Sequence, residues 1–475
     1  MLSIYILIYT TLVTRVLATH LKVIPPSLDP FYNPPDGYQN KHLGEILRFR
    51  RVPNKLRGIY FPINIKNAWH IMSRSSDSMG NPSTVVTTLI EPYNSNSSRL
   101  VSYQFMEDSS MENCAISYGM QFGADMDTLV TQEEMYLLNM ALQEGYWVNA
   151  PDYLGPKSTF TVSRQHGQAV LDSLRSVLNS ANETGVSPEA DIILWGYSGG
   201  SMASSAAASI RKQYAPELKP RLVGAVFGGF FTNVTDLLLA VDGSAYAGLI
   251  ATSLGGLSNE YTALKSIYNI SFSRKGAREA FWANTERCFA PSLAAMMYTQ
   301  VFSGPTKWVR DSFNFFSQPL VKEILFNTTI GIDKAEKPDI PIFIYHGKND
   351  SIVPLNGAKQ TFNNWCDWGV ESVEMTVSNS TRHITECFLG SPAAMTWIKR
   401  RFNGKPPVEG CSYTERVSNM SYPGTSLSSV NLVVTFVKTL FGLKIGPWTF
   451  KKREDFEAFD IDSKFEERLK IKNSY

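Results

Sequence analysis

The chain has 475 residues, of which 43% are hydrophobic and 19% are charged, and its formal net charge is +2. This composition excludes a disordered chain, and the length allows one elaborated globular domain or two. The near-neutral charge leaves no electrostatic footprint for nucleic acid, and no basic stripe with interleaved aromatic residues runs through the body of the chain. We therefore expect no nucleic-acid partner.

Residues 1–18 are apolar and end in Val16-Leu17-Ala18, which places small or apolar residues where a signal peptidase reads. The segment lacks a basic residue at its start, and Arg15 comes late. A membrane anchor is the alternative, but about 13 apolar-leaning residues are too few to cross a bilayer. We predict a signal peptide and a secreted, extracellular protein without a transmembrane anchor.

Asn-x-Ser/Thr sequons support secretion and predict a glycoprotein. The sequons begin at Asn96, Asn182, Asn233, Asn269, Asn327, Asn349, Asn379 and Asn419.

Five cysteines occur in the chain, and in an oxidising compartment four of them can pair. Which four do so, and in what arrangement, is left open by the spacing alone. No two cysteines have the spacing of a zinc site, so we expect no structural metal.

Residues 19–58 are rich in proline and predict an irregular surface arm. The residues from 59 to 227 are predicted to form the first part of an α/β core. β-branched and aromatic runs predict adjacent strands of one sheet at Ala68–Met72, Thr84–Ile90 and Leu100–Met106, with a further strand at 145–150.

Strands and helices then alternate, which is typical of a parallel, doubly wound α/β sheet. The alternation consists of a helix from about Gln165 to Ser180, a strand from 191, an alanine-rich helix through 208 and a strand at Leu222–Phe227.

The alternation stops between residues 228 and 337, where helical patterns predict a cap inserted over the sheet. A second independent domain is the alternative; we favour the cap because strand and helix patterns resume over 338–426, the second part of the core. The predicted helices of the cap are Asp236–Leu254, Ser258–Ile267 and Ala290–Phe302.

Residues 427–475 form a C-terminal extension. Its apolar run, Val430–Leu443, is too short to span a membrane and predicts a packed helix or strand. After Cys411 we expect irregular structure, and residues 451–475 are densely charged, which indicates a solvated tail.

Gly196-Tyr197-Ser198-Gly199-Gly200 lies between the strand that begins at Asp191 and the alanine-rich helix. A serine at a sharp turn from strand to helix is a nucleophile elbow, the turn that exposes a reactive hydroxyl. Gly196 and Gly200 suit this turn because strand and helix pass too closely there for side chains. A glycine-rich turn around a buried serine is the alternative interpretation, but the flanking strand and helix favour the elbow.

A serine nucleophile needs a base, and the base needs a carboxylate that orients it. In this fold class the acid and then the base follow the serine, each in a loop after a strand. Asp350 follows the strand that begins at Pro341, and His383 follows the strand that ends near Val377. His383 is the sole histidine beyond Asp350, whereas His346 precedes it and is predicted to pack structurally. The alternative interpretation of Asp350 is an aspartate that caps a turn, and that of His383 is a histidine in a surface loop.

Asp339 and Asp367 are weaker acid candidates because neither lies in a loop after a strand. We expect the neighbouring sequon at Asn349 to stay unglycosylated, because a glycan there would crowd the loop of Asp350.

An oxyanion hole needs two convergent donors, and the backbone N–H of Gly199 is predicted to be one. The chain has no HGGG-type loop to supply the second. The second donor could come instead from Asp108, in the loop after the strand that begins at Leu100. Asp108 is either this donor or a residue that only forms the turn.

These motifs resemble the secretory lipase family of yeasts, which are secreted triacylglycerol lipases of the lipase A type. The resemblance covers roughly Asn33 to Ser412 and rests on the elbow, on Ala150-Pro151-Asp152-Tyr153, on Leu171-Asp172-Ser173-Leu174-Arg175 and on the residues around Asp350. It implies an α/β-hydrolase fold with a helical lid, the triad Ser198, Asp350 and His383, and oxyanion donors at Gly199 and Asp108. It also implies the disulfides Cys114–Cys288 and Cys366–Cys411. Cys387 would be an extra, free thiol that departs from the family pattern.

The sequence therefore predicts a monomeric carboxylic ester hydrolase that acts on lipid at an oil–water interface and needs no cofactor. The alternatives are another carboxylesterase or a serine peptidase on the same fold, since fold does not determine substrate. A non-catalytic secreted surface protein is the alternative from another class, and the intact set of three catalytic side chains argues against it.

Overall fold

A single mixed β-sheet runs through the molecule, and the computed structural model describes residues 23–58 and 61–446. The predicted signal peptide and the charged tail from 451 lie outside these residues. The strands are β1 (Ile46–Arg51), β2 (Asn67–Ser76), β3 (Pro82–Glu91), β4 (Asn96–Gln104), β5 (Tyr146–Pro151), β6 (Asp191–Tyr197), β7 (Leu222–Gly228), β8 (Ile342–Gly347), β9 (Ser372–Ser378) and β10 (Gly410–Arg416).

Fifteen α-helices occur in the described part of the chain. They are α1 (Ile116–Gly119), α2 (Leu129–Gln143), α3 (Ser163–Asn179), α4 (Ala181–Thr184), α5 (Gly199–Tyr214), α6 (Val234–Val241), α7 (Gly248–Glu260), α8 (Ala263–Ser271), α9 (Lys275–Thr285), α10 (Phe289–Met296), α11 (Pro319–Asn327), α12 (Leu355–Asp367), α13 (His383–Leu389), α14 (Ser391–Phe402) and α15 (Thr425–Leu440). Short 3-10 helices occur at Pro30–Tyr32, Tyr38–Asn40, Glu112–Cys114, Met126–Thr128, Pro216–Leu218, Ser312–Ser317, Lys334–Glu336 and Asn419–Ser421.

The strand order is β1-β2-β3-β5-β4-β6-β7-β8-β9-β10. From β1 to β5 neighbouring strands pair antiparallel, and from β5 to β10 they pair parallel. The central strands read as continuous apolar runs because helices cover both faces of a parallel sheet. The architecture is therefore the predicted α/β class, and the carboxyl ends of the parallel strands share one edge.

Two helical layers enclose the sheet. On one face α3 and α5 pack against each other, and Gly196 of β6 faces α5. Gly224 of β7 pairs with Ile193 of β6 and faces Trp397 of α14. Side chains alternate along a strand, so Ile193 and Gly196 lie on opposite faces of the sheet. Because Gly224 lies beside Ile193, α14 covers the face opposite α5. The helices α2 and α15 pack with α14 on that second face.

Three expectations about the sheet were wrong. The segment 19–58 is not irregular throughout, because β1 pairs with β2 at the edge of the sheet. The third predicted strand is not adjacent to the second, since the chain crosses over through α2 and returns as β5 between β3 and β4. Beyond Cys411 the chain is not irregular, because it continues as β10, which pairs with β9. The helix predicted as one of two possibilities for Val430–Leu443 is confirmed, since most of this run lies in α15.

Between β7 and β8 the described chain forms α6 to α11, which agrees with the helical pattern but not with the predicted boundaries. The first predicted helix is divided in two by a turn at Gly243, whose φ is 70°. The carboxylate of Asp242 stabilises this turn by accepting the backbone N–H groups of Val301, Phe302 and Ser303. These are long-range contacts that helical periodicity does not contain.

The disulfides are the two that the family resemblance implied. Cys114 bonds to Cys288, which joins the loop after β4 to the segment before α10, and Cys366 bonds to Cys411, which joins α12 to β10. Cys387 is free and buried. No helix in residues 23–58 and 61–446 is long and apolar enough to cross a membrane.

Replacing both Cys366 and Cys411 with Ser should lower the free energy of unfolding by about 4 kcal/mol. The bond closes a loop with a sequence separation of 45 residues, and opening it returns that loop entropy to the unfolded chain. Urea denaturation without reductant measures the change. Cys387→Ala is the control, because it removes a thiol but no cross-link; equal losses in the two proteins would contradict the prediction.

Candidate active site

Ser198 lies at a strained turn between β6 and α5. Its φ of 52° and ψ of −122° are rare for a residue with a side chain and cost about 1–3 kcal/mol. The surroundings hold this backbone in place, since Ser198 donates its N–H to the carbonyl of Gly228 and accepts the hydroxyl of Ser201 on its own carbonyl. The turn places the Ser198 side chain at the carboxyl edge of the sheet.

The flanking glycines are required by the close approach of strand and helix. A Cβ on Gly196 would lie 2.2 Å from the carbonyl oxygen of Gly200, and a Cβ on Gly200 would lie 1.9 Å from that of Gln104. Backbone atoms cannot move aside as a flexible side chain can. The steric argument made from the sequence therefore has a direct structural counterpart.

The structure brings Ser198, His383 and Asp350 together from three different strand ends. His383 Nε2 lies 2.8 Å from Ser198 Oγ, and His383 Nδ1 lies 2.6 Å from Asp350 Oδ2. A carboxylate at Nδ1 requires the ring proton there, which leaves the Nε2 lone pair to accept the serine hydroxyl. All three residues are buried. The arrangement can activate the hydroxyl as a nucleophile.

Asp350 is held as an anion. Burial alone would raise the pKa of Asp350. The charge and the hydrogen bond of His383, together with other contacts, outweigh this effect and lower the pKa below its ordinary value. The backbone N–H groups of Ile352 and Val353 donate to its other oxygen. The anion therefore orients the imidazole ring of His383 through Nδ1.

His346 packs structurally at the end of β8, as predicted. Its Nδ1 accepts the N–H of Phe230, and its Nε2 donates to the carbonyl of Val353. Burial lowers its pKa, which keeps the ring neutral beside Asp350. Asp339, the discarded acid candidate, forms an ion pair with Arg211 instead.

Asp108 and Gly199 lie side by side next to the nucleophile. A Cβ on Gly199 would lie 2.0 Å from Asp108 Oδ1, and this oxygen is buried without a hydrogen-bond partner in the described structure. Gly199 is the first residue of α5, so no carbonyl of a preceding helical turn accepts its N–H. Burial raises the pKa of Asp108 to about 7, against a lowering effect of His383. A neutral Asp108 carboxyl can donate a hydrogen bond there.

Tyr197 was missed as a functional residue, although it is the variable position of the elbow motif. Its hydroxyl donates to the backbone carbonyl of His383 at 2.7 Å, and its ring lies 5.2 Å from the imidazole. Tyr197 thus links the strand of the nucleophile to the loop of the base. No local signal identifies this contact, because 186 residues separate the two partners.

Two buried glutamates that the sequence did not single out support the loops of the site. Glu134 accepts the hydroxyl of Tyr103 and the N–H of Met106, just before Asp108. Glu386 accepts the hydroxyl of Thr381 and the amide of Asn419 beside His383. Asn419 begins a predicted sequon, but its side chain is fully buried in this network and cannot accept a glycan in the folded protein.

Several known proteins similar to this chain are named lipases. The family model for secretory lipases matches residues 120–410. Lipase 1 of Candida albicans is 44% identical over 443 residues, which cover 93% of this chain and 94% of that protein. Lipase A of Arthroderma benhamiae is 34% identical over 429 residues, which cover 89% of this chain and 90% of that protein. The chain belongs to the secretory lipase family.

The fold agrees with this membership. The X-ray structure of Candida antarctica lipase A in its closed state matches with a TM-score of 0.76 and 26% identity, covering 90% of this chain and 99% of that one. The protein is an α/β-hydrolase and a carboxylic ester hydrolase.

Tyr197→Phe should lower kcat on a soluble ester by about tenfold and leave KM nearly unchanged. The carbonyl of His383 would lose a buried partner, which costs about 1–3 kcal/mol, and the imidazole would be held less firmly. Steady-state kinetics with a short-chain nitrophenyl ester measure the split.

Tyr214→Phe is the matched control, since it removes the hydroxyl that donates to Asp172 at the far end of α5. It should reduce stability by a similar amount but leave kcat unchanged. Equal effects of the two substitutions on kcat would show that Tyr197 has no positioning role.

Proposed function

We propose that this enzyme is a secreted triacylglycerol lipase that hydrolyses the ester bonds of acylglycerols through Ser198, His383 and Asp350. The observation that carries the proposal is the hydrogen-bonded chain from Ser198 Oγ through both ring nitrogens of His383 to Asp350, within a chain of the secretory lipase family. The relatives named as lipases support an acylglycerol substrate over a peptide.

In the first half of the reaction His383 Nε2 takes the proton of Ser198 as Oγ attacks the ester carbonyl. The resulting tetrahedral intermediate collapses when protonated His383 donates this proton to the leaving alcohol, and the acyl group stays on Ser198. Asp350 remains ionised throughout and stabilises the positive charge on the imidazole. Water then attacks the acyl-enzyme with the same base, which releases the fatty acid and restores Ser198.

Gly199 and Asp108 stabilise the negative charge of the intermediate. Gly199 donates its backbone N–H, and Asp108 donates from a neutral carboxyl. The unpartnered buried oxygen of Asp108 and its raised pKa support this role. An aspartate that stayed ionised would repel the intermediate instead.

The helical segment 228–337 acts as a cap over this site. Gly256 of α7 packs directly on the backbone of Phe160, and a Cβ at Gly199 would lie 3.2 Å from the Phe160 ring. Ser109 and Ser110 donate to carbonyls of Arg287 and Thr285 in and after α9. The cap thus contacts the oxyanion loop, and its movement would admit a lipid substrate.

Secretion as a monomer completes the proposal. The family is described as secretory, and the two disulfides are stable in the oxidising environment outside the cell.

Ser198→Ala should reduce turnover of emulsified triacylglycerol at least about a thousandfold, because no other group can form the acyl-enzyme. Titration of released fatty acid measures this. A soluble short-chain ester and a peptide amide, assayed in parallel, separate a lipase from another esterase or a peptidase. Cleavage of the amide alone, or activity that does not depend on Ser198, would refute the proposal.

Activity should decline as the pH rises above about 7, because the Asp108 carboxyl, whose pKa burial raises to about 7, then ionises and stops donating. Asp108→Asn should abolish this alkaline decline in kcat, since an amide donates at every pH. Asp108→Ala should lower kcat about a hundredfold at pH 6, where the wild-type carboxyl is protonated. The pH profiles of kcat on a soluble ester test both; an unchanged decline in Asp108→Asn would exclude the role.

A further inference from the structure

The helix α15 has the reverse of the usual amphipathic arrangement. The residues that it buries against α2 and α14 are mostly polar, namely Thr425, Ser428, Leu432, Thr435 and Thr439. The outward face, as we name it, is apolar and exposed to solvent. It consists of Leu427, Val430, Val433, Val437 and Phe441, the residue that follows the helix.

A surface helix of a water-soluble protein normally turns its apolar stripe toward the core. Here Leu427, Val433 and Phe441 are 59%, 62% and 61% exposed, at the spacing of one helical face. Contiguous exposed apolar surface of this kind marks an interaction site. Since α15 carries no acidic residue and a single lysine, the partner must itself be apolar.

We propose that the outward face of α15 docks the enzyme onto the surface of a lipid phase. A helix with an apolar face can lie in the plane of a lipid–water interface and bury that face among acyl chains. Its 16 residues give a length of about 24 Å, enough to anchor the molecule along the surface. The inference rests on the proposed function, whose substrate is held in such a phase.

The composition of the face favours lipid over a protein partner. Protein interfaces are enriched in Tyr, Trp, Phe, Arg and Met, and their energetic centres contain little Leu or Val. Four of the five residues of the outward face are Leu or Val, and one is Phe. The segment that follows α15, residues 447–475, is another candidate to cover the face. It contains 14 charged residues out of 29, and such a composition is a poor match for a face without charged residues.

The apolar surface continues toward the active site. Phe436 of α15 contacts Tyr136 of α2, and Tyr136 contacts Phe388 of α13, with ring centroids 5.4 Å and 5.7 Å apart. The helix α13 begins at His383 and also exposes Ile384 and Leu389. Docking through α15 would therefore hold the helix of the catalytic base next to the lipid phase.

The test is adsorption to triolein droplets coated with phosphatidylcholine, measured by depletion of protein from the aqueous phase. All proteins carry Ser198→Ala so that the droplets stay intact. The variant Leu427→Ser, Val433→Ser, Val437→Ser should adsorb at least about tenfold more weakly than its parent, because each side chain loses its transfer free energy into lipid. Raising the salt concentration should leave adsorption of the parent unchanged, since the face is uncharged.

The matched control is Ile24→Ser, Leu28→Ser, Met79→Ser, which removes three equally exposed apolar side chains elsewhere and should adsorb like the parent. With Ser198 restored, the α15 variant should turn over a soluble short-chain ester at the wild-type rate, which shows that it is folded. A wild-type enzyme that fails to hydrolyse triacylglycerol would refute the proposed function but leave the adsorption result valid.

Equal adsorption of the α15 variant and its parent would overturn the proposal. A wild-type dimer in lipid-free solution that the α15 variant abolishes, measured by sedimentation, would assign the face to a second copy and overturn it as well. Stronger adsorption of the full chain after Phe456→Ser, Phe459→Ser and Phe465→Ser would assign the face to the C-terminal tail instead.

Discussion

The close approach of β6 and α5 at Ser198 is the constraint on which the site depends. Positive φ at a residue with a side chain is stable only where the surroundings determine the backbone completely. Here two glycines remove the atoms that would clash, and hydrogen bonds from Ser198 to Gly228 and from Ser201 to Ser198 hold the turn. The strain is the cost of exposing a hydroxyl at the end of a helix, where a developing negative charge is stabilised.

Around this turn the protein buries more ionisable groups than the triad needs. Glu107, Asp108, Glu134, Asp152 and Glu386 are all buried, and burial raises the pKa of each. Glu134 accepts the N–H of Met106, near Asp108, and Glu386 accepts the hydroxyl of Thr381, near His383, so these two acids act as fixed acceptors that hold the loops of the site in position. Asp108 differs from Glu134 and Glu386 because its Oδ1, which lies against Gly199, has no hydrogen-bond partner in the described structure.

The surface of the molecule has a second specialised region in α15. A polar inner face and an apolar outer face divide the roles of the helix, with hydrogen bonds such as Asn139 to Thr439 on the inside. The segment between β7 and β8 contacts the loop of Asp108 through Ser109 and Ser110, whereas α15 lies against α2 and α14 on a face of the sheet. The proposed lipid attachment thus lies on α15, away from the catalytic residues. Tyr136 connects the two regions because it contacts both Phe436 of α15 and Phe388 of α13.

Local pattern was sufficient for the fold class, the elbow and the order of acid and base. Hydrophobic periodicity reports which face of an element is buried, and the elbow is a contiguous run of residues whose sterics are local. The family resemblance implied the two disulfide pairs, which spacing alone left open, and it favoured the donor interpretation of Asp108 over a turn former. The sequence by itself therefore determined the α/β class, the candidate nucleophile and the partners expected for it.

Tertiary structure alone decided the rest. The insertion of β5 between β3 and β4, the edge strands β1 and β10, and the turn at Asp242 depend on contacts between distant residues. The bond from Tyr197 to His383, the buried state of Asn419 and the reversed burial of α15 are likewise set by what packs against each residue. Local periodicity records how apolar a residue is and how it repeats, but not which face its neighbours will cover.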